Sequence, residues 1–100
     1  MVKLVVIYKK PEDSAAFDKY YFETHLPLAM KMPGLIKTEV AKVTGGPMGE
    51  SPLHLIAELY FKDMASMQAS LGSPEGKATG KDVMGFAGKV VQMHFAEVKD

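Results

Sequence analysis

One hundred residues make one domain, exclude a second, and let only about two-thirds of the unfolded chain's surface be buried on folding. Twelve lysines, with no arginine, balance twelve acids; this excludes a long-range field toward nucleic acid or an anionic membrane and counts against a strongly anionic ligand, which favours the guanidinium fork. With no cysteine there can be no disulfide or thiolate metal site to reinforce a small core, while an apolar content of 47% points to a packed globule rather than disorder.

Residues 2–9 are rich in β-branched and aromatic side chains and end at Lys9-Lys10-Pro11, which reads as a first strand. This run is far too short to cross a bilayer and lacks a small-residue cleavage site, so the expectation is a cytoplasmic protein. Asp13 or Ser14 can cap a helix from about Ala15, in which Phe17, Tyr21, Thr24/His25 and Leu28 recur at helical spacing. Pro27 is expected to end or kink that helix near His25. A second strand is expected from about Leu35 to Val43, a glycine- and proline-rich loop from Thr44 to Pro52, and a third strand over Leu53–Phe61. Asp63 caps a second helix with Met64, Met67 and Leu71 as its apolar stripe. Ser73-Pro74 opens a further helical segment to Gly88 despite its glycines, and Val90–Val98 forms the last strand.

The order β-α-β-β-α-β, with two halves that echo each other, predicts a single α+β domain over residues 1–100: a ferredoxin-like fold with a four-stranded antiparallel sheet. On strand 3, Leu53, Leu55, Ala57, Leu59 and Phe61 make one wholly apolar face, which belongs under the helices. His54, Ile56, Glu58 and Tyr60 make a mixed face that no helix remains to cover. A second copy laying its own sheet there would give a homodimer closed as an α+β barrel.

Phosphate loops, dinucleotide fingerprints and serine elbows are absent, and His25, His54 and His94 lack chelating spacing, so no metal and no cofactor is expected. His25 stands out: it lies on the inner stripe with Phe17 and Tyr21, one turn from Leu28, beside a helix-disturbing proline. Tyr8 and Tyr21 can present phenols to the same space. One imidazole and one or two phenols in an apolar cleft suit proton transfer on an uncharged or enolisable organic molecule. Phe17, Leu28, Phe61 and the adaptable Met67 are candidate walls of that cleft. Equally, a lone histidine on an apolar helix face can be a hydrogen-bonded core residue, and spacing does not separate the two.

The stretch from Phe17 through Tyr20-Tyr21 to His25-Leu26-Pro27-Leu28 resembles the signature of the EthD family, within the dimeric α+β barrel superfamily. Pro33-Gly34-Leu35, Ala57–Phe61, Ser73-Pro74-Glu75 and Asp82 with Phe86 extend the resemblance along essentially the whole chain. It implies a homodimer with face-to-face sheets and a small pocket between helices and sheet in each subunit. His25 would point into that pocket, Tyr8, Tyr21 and Phe86 would line it, and Asp82 joins the candidate ligand-binding residues. Tyr21 stands where the family often has tryptophan. Superfamily relatives include cofactor-free monooxygenases, polyketide cyclases, lactone isomerases and haem binders.

Three functions follow as expectations. The first is an enzyme of oxidoreductase (cofactor-free monooxygenase) or cyclase/isomerase type acting on a small apolar organic molecule in oxidative catabolism, with His25 as acid/base. The second is a non-catalytic small-ligand carrier or accessory protein to an oxygenase. The third is a haem-binding barrel with His25 as axial ligand, for which no feature of the sequence speaks specifically.

Overall fold

Strict alternation shapes the first strand, β1 (Val2–Lys9): Val2, Leu4, Val6 and Tyr8 are buried on one side, Lys3, Val5 and Ile7 half-buried on the other. The computed structural model describes residues 1–99. Its first crossover is one nearly continuous helix in three parts, α1 (Ser14–Tyr20), a π-helical segment (Tyr21–His25) and α2 (Leu26–Ala29). Then follow β2 (Lys37–Lys42), β3 (Leu53–Phe61), α3 (Met64–Gly72), α4 (Pro74–Ala87) and β4 (Val91–Glu97). The sheet runs β2-β3-β1-β4 with every pair antiparallel, the ferredoxin-like α+β fold that the element order predicts. Among the described residues no helix is long and apolar enough to cross a membrane.

The helix starts lie where the capping residues put them. Asp13 accepts from the Ala16 amide at 3.0 Å, Asp63 from the Ser66 amide at 2.8 Å and Ser73 from the Gly76 amide at 3.0 Å, with Pro74 opening α4. Regular β2 and β4 are shorter than their expected spans. Backbone bonds from Ile36 N–H to Tyr60 C=O (2.8 Å) and from Val43 N–H to His54 C=O (2.9 Å) still carry the β2 pairing one residue past each end.

Pro27 disturbs the first helix near His25, as expected, without ending it, and the short segment α2 follows. Proline has no N–H to donate and its ring crowds the carbonyl four residues back. The preceding turn widens instead, so that Leu26 N–H reaches back five residues to Tyr21 C=O and the axis continues through α2. His54 leaves the outer sheet face where alternation places it. The register slips from Tyr8↔Leu55 to Lys9↔Leu53, and this bulge turns His54 toward α1, against the Phe17 ring and the Asp18 carboxylate.

The core lies between the inner sheet face and the helices. Leu55, Phe61 and Met67 are fully buried, each worth roughly 1.5–3 kcal/mol relative to exposure. Among the described residues no helix lies on the outer face, where Val5 and Ile7 of β1 neighbour Glu58 and Ile56 of β3. There Tyr60 is covered by the ammonium groups of Lys3 and Lys37, 5.5 and 4.5 Å from its ring centroid, and Lys3 pairs with Glu58.

Candidate functional site

Between the sheet and the helices lies a cavity of about 60 Å³. A water molecule needs roughly 10–15 Å³ by this measure, so four to six water-sized atoms fit. Its floor is apolar: Leu4 and Val6 of β1, Val40 of β2, Ala57 and Leu59 of β3. The polar groups come from few places. Tyr8 rises from the end of β1, and Tyr21 and His25 descend from the π-helical segment. Thr79 also lines the wall, but its hydroxyl is donated to Glu75 C=O at 2.8 Å.

His25 is 95% buried, leaving 5% exposed, and its ring is held from outside the cavity. Nδ1 lies 2.8 Å from Asp82 Oδ2. An ionised carboxylate can only accept, so Nδ1 carries the proton and the lone pair of the neutral ring sits on Nε2. The other oxygen of Asp82 accepts from the Tyr20 hydroxyl at 2.5 Å, which holds the carboxylate from its solvent side. Phe86 packs on the imidazole at 4.9 Å between centroids and on Tyr20 at 4.8 Å.

The two inner phenols are neutral hydrogen-bond donors at ordinary pH. Burial pushes the Tyr21 hydroxyl up to about 12, and burial, then the neighbouring Tyr21 and Asp82, raise that of Tyr8 further. The Tyr20 hydroxyl is also raised, chiefly by its bond to Asp82. Among the described residues Ser70 Oγ is the sole sealed side-chain polar atom without a partner. The Tyr8 and Tyr21 hydroxyls and His25 Nε2 make no hydrogen bond to those residues, so each of them reaches open space.

The residues singled out from sequence separate into three groups. Tyr8, Tyr21 and His25 meet on one cavity wall, the tyrosine rings 5.6 Å apart and Tyr21 5.6 Å from the imidazole. Asp82 and Phe86 stand behind His25 as its support. Phe17, Phe61 and Met67 are core: Phe17 stands edge-on to Tyr8 and stacks with Tyr21, while Phe61 and Met67 are fully enclosed away from the wall. Leu28 lies in a surface groove with Tyr20, Asp82 and Phe86, because the widened turn shifts the helical phase and brings Leu26 and Ala29 to the cavity.

Sequence reasoning missed Tyr20 as a partner of Asp82, and Thr38, Gly76 and Gly80 as cavity wall. The signals Tyr20 offered were a polar tip on an aromatic run and its place in the family signature, neither of which points to Asp82. Among the described residues no three of His, Asp and Glu are placed to hold a metal ion. A second histidine–aspartate contact, His54 Nε2 to Asp18 Oδ1 at 2.7 Å, ties α1 to β3. Lys42, at 2.6 Å, is the main cause holding the Asp18 carboxyl below its usual range, with His54 adding to it.

The EthD domain matches residues 9–89 of this chain. An EthD family protein from Bacillus halodurans, known as a crystal structure, is 47% identical, with 99% of each chain covered and a TM-score of 0.97. An uncharacterised 11.0 kDa protein in the thcB-thcC intergenic region of Rhodococcus erythropolis is 31% identical over 97% of this chain and 94% of its own. SnoaB, a cofactor-independent oxygenase from Streptomyces nogalater, shares the fold at 11% identity and a TM-score of 0.71, covering 99% of this chain and 93% of its own.

Proposed function

The chain belongs to the EthD family, and we propose that it is a small-molecule enzyme that moves a proton on a largely apolar organic substrate without a bound cofactor. The observation that carries this reading is the Nδ1–Oδ2 contact of 2.8 Å, which leaves Nε2 of a buried imidazole free in a cavity shared with two phenols. His25 Nε2 takes a proton from an acidic C–H or O–H of the substrate. Asp82 stabilises the imidazolium that forms, and Tyr8 or Tyr21 donates to the substrate oxygen on which negative charge grows. The carbanion or enolate so formed can be reprotonated elsewhere, as in an isomerisation or cyclisation, or react directly with dioxygen. The apolar floor excludes water from that charge and strengthens each of these interactions.

The working form in this reading is a homodimer. Val5, Ile7 and Ile56 leave a half-buried apolar strip on a sheet face without helices, and a twofold copy covers it most economically. The test of the activity is a panel of small ketones, phenols and lactones assayed under air and under nitrogen, with His25→Phe in parallel. Turnover abolished by the substitution supports the assignment, and equal turnover in both proteins rejects it. Loss of activity under nitrogen marks dioxygen as a reactant.

A further inference from the structure

Between α4 and β4 a surface groove borders the cavity, the two sharing Leu4, Leu71, Gly76, Gly80 and Met93 as lining. Gly76 and Gly80 lie one turn apart on α4. A Cβ built on Gly80 meets no atom within 4 Å, so the helix surface there is open rather than packed. Across the gap Met93 and Phe95 of β4 are 44% and 56% exposed, an apolar lip presented to solvent.

The charges along this groove have one sign. Lys77 and Lys81, one turn apart on α4, line it with His94 and, among the described residues, no acid. Among the described residues neither lysine has an acidic partner within bridging distance, and the adjacent Asp82 is turned away to Tyr20 and His25. At the inner end stand His25 Nε2 and the Tyr8 and Tyr21 hydroxyls, on side chains more than nine-tenths buried and without protein partners among the described residues.

From this juxtaposition we propose that the site takes an amphipathic organic acid: its apolar body passes between Gly80 and Met93 toward His25, and its carboxylate stays at the lip on Lys77 and Lys81. Two flexible ammonium groups act as point charges from which a single carboxylate can accept. A cavity of about 60 Å³ admits a ring-sized or short branched group, not a long chain. The inference deepens the proton-transfer reading and rests on it only for which end of the ligand enters first.

The experiment is calorimetric titration with 4-phenylbutyrate and its neutral counterpart 4-phenylbutan-1-ol, with the His25 ring followed by NMR in the same samples. The acid is expected to bind more tightly than the alcohol and to weaken with added salt. Lys77→Gln/Lys81→Gln should weaken the acid by about fivefold and leave the alcohol unchanged. Gly80→Leu, filling an unobstructed position, should block both probes while the thermal midpoint holds or rises. Equal binding of acid and alcohol, untouched by the lysine substitutions, overturns the proposal; so does a failure of both probes to bind at millimolar concentration. Lysine-dependent binding without any shift of the His25 signals supports the lip and removes the proton-transfer reading instead, so the two failures are distinct.

Discussion

Glycine to alanine at two positions of α4, four residues apart, should change stability in opposite directions. At Gly76 the added Cβ falls 2.0 Å from Ser70 O and 2.8 Å from Leu71 Cα and O. All three are backbone atoms, so no side chain can rotate aside. Relief requires α4 to move off the end of α3 by more than an ångström, against a Ser73 cap that fixes their junction through Gly76 N–H and Ser70 C=O. Overpacking of this kind costs about 1–3 kcal/mol when neighbours can yield, and a backbone wall puts Gly76→Ala at or above about 3 kcal/mol. At Gly80 the Cβ meets nothing within 4 Å, so alanine keeps only its helix-propensity advantage of roughly 1 kcal/mol. For about 100 residues each kcal/mol moves the melting midpoint by roughly 4–8 °C. Circular-dichroism melts should therefore show Gly76→Ala at least about 12 °C below the parent and Gly80→Ala several degrees above it. Two shifts of the same sign would refute the packing described for the α3–α4 junction.

Further outcomes follow from individual groups. Ser70 is 1% exposed with an unpartnered hydroxyl, so Ser70→Ala should raise stability by about 1 kcal/mol or more in urea unfolding. Tyr21 has a folded value of about 12 against an unfolded value near 10, so its contribution is complete below about pH 10 and is lost as pH rises toward 12. The two-unit difference is worth about 2–3 kcal/mol, and Tyr21→Phe should remove one proton's share of the alkaline slope in pH-dependent melts. Asp18 is held below its ordinary range by Lys42 and then His54, so its stabilisation is present above about pH 4 and lost as pH falls further. Asp18→Asn should flatten the acid limb of the same titration.

The fold was legible because its signals are local and repeated. Asp13, Asp63 and Ser73 each cap a helix as their positions indicate, and the even residues of β1 and, from Leu55 onward, the odd residues of β3 are buried as alternation requires. What failed to show were displacements of phase. A bulge at His54 and a π turn at Tyr21–His25 each shift a periodic pattern by one residue; Pro27 announces a disturbance near His25 but not its form, and no side chain announces the bulge. The same holds for the site. The inner-stripe spacing placed Tyr21 and His25 on one face, and strand 1 delivered Tyr8 to them. The carboxylate that fixes the imidazole lies 57 residues along the chain, and only the packing of α4 on the first helix brings it within 2.8 Å. Glycines 76 and 80 read as weak helix; in three dimensions both line the cavity, Gly76 pressed on the end of α3 and Gly80 facing open space.

The most direct measurement is long-range proton–nitrogen correlation NMR of the His25 imidazole in the unliganded protein, repeated with a small apolar ketone added. The neutral ring should carry its proton on Nδ1, facing Asp82, and its unprotonated Nε2 should respond to the added molecule. A proton on Nε2, or a ring blind to every cavity-sized ketone, would contradict the assignment of His25 as the group that performs the chemistry.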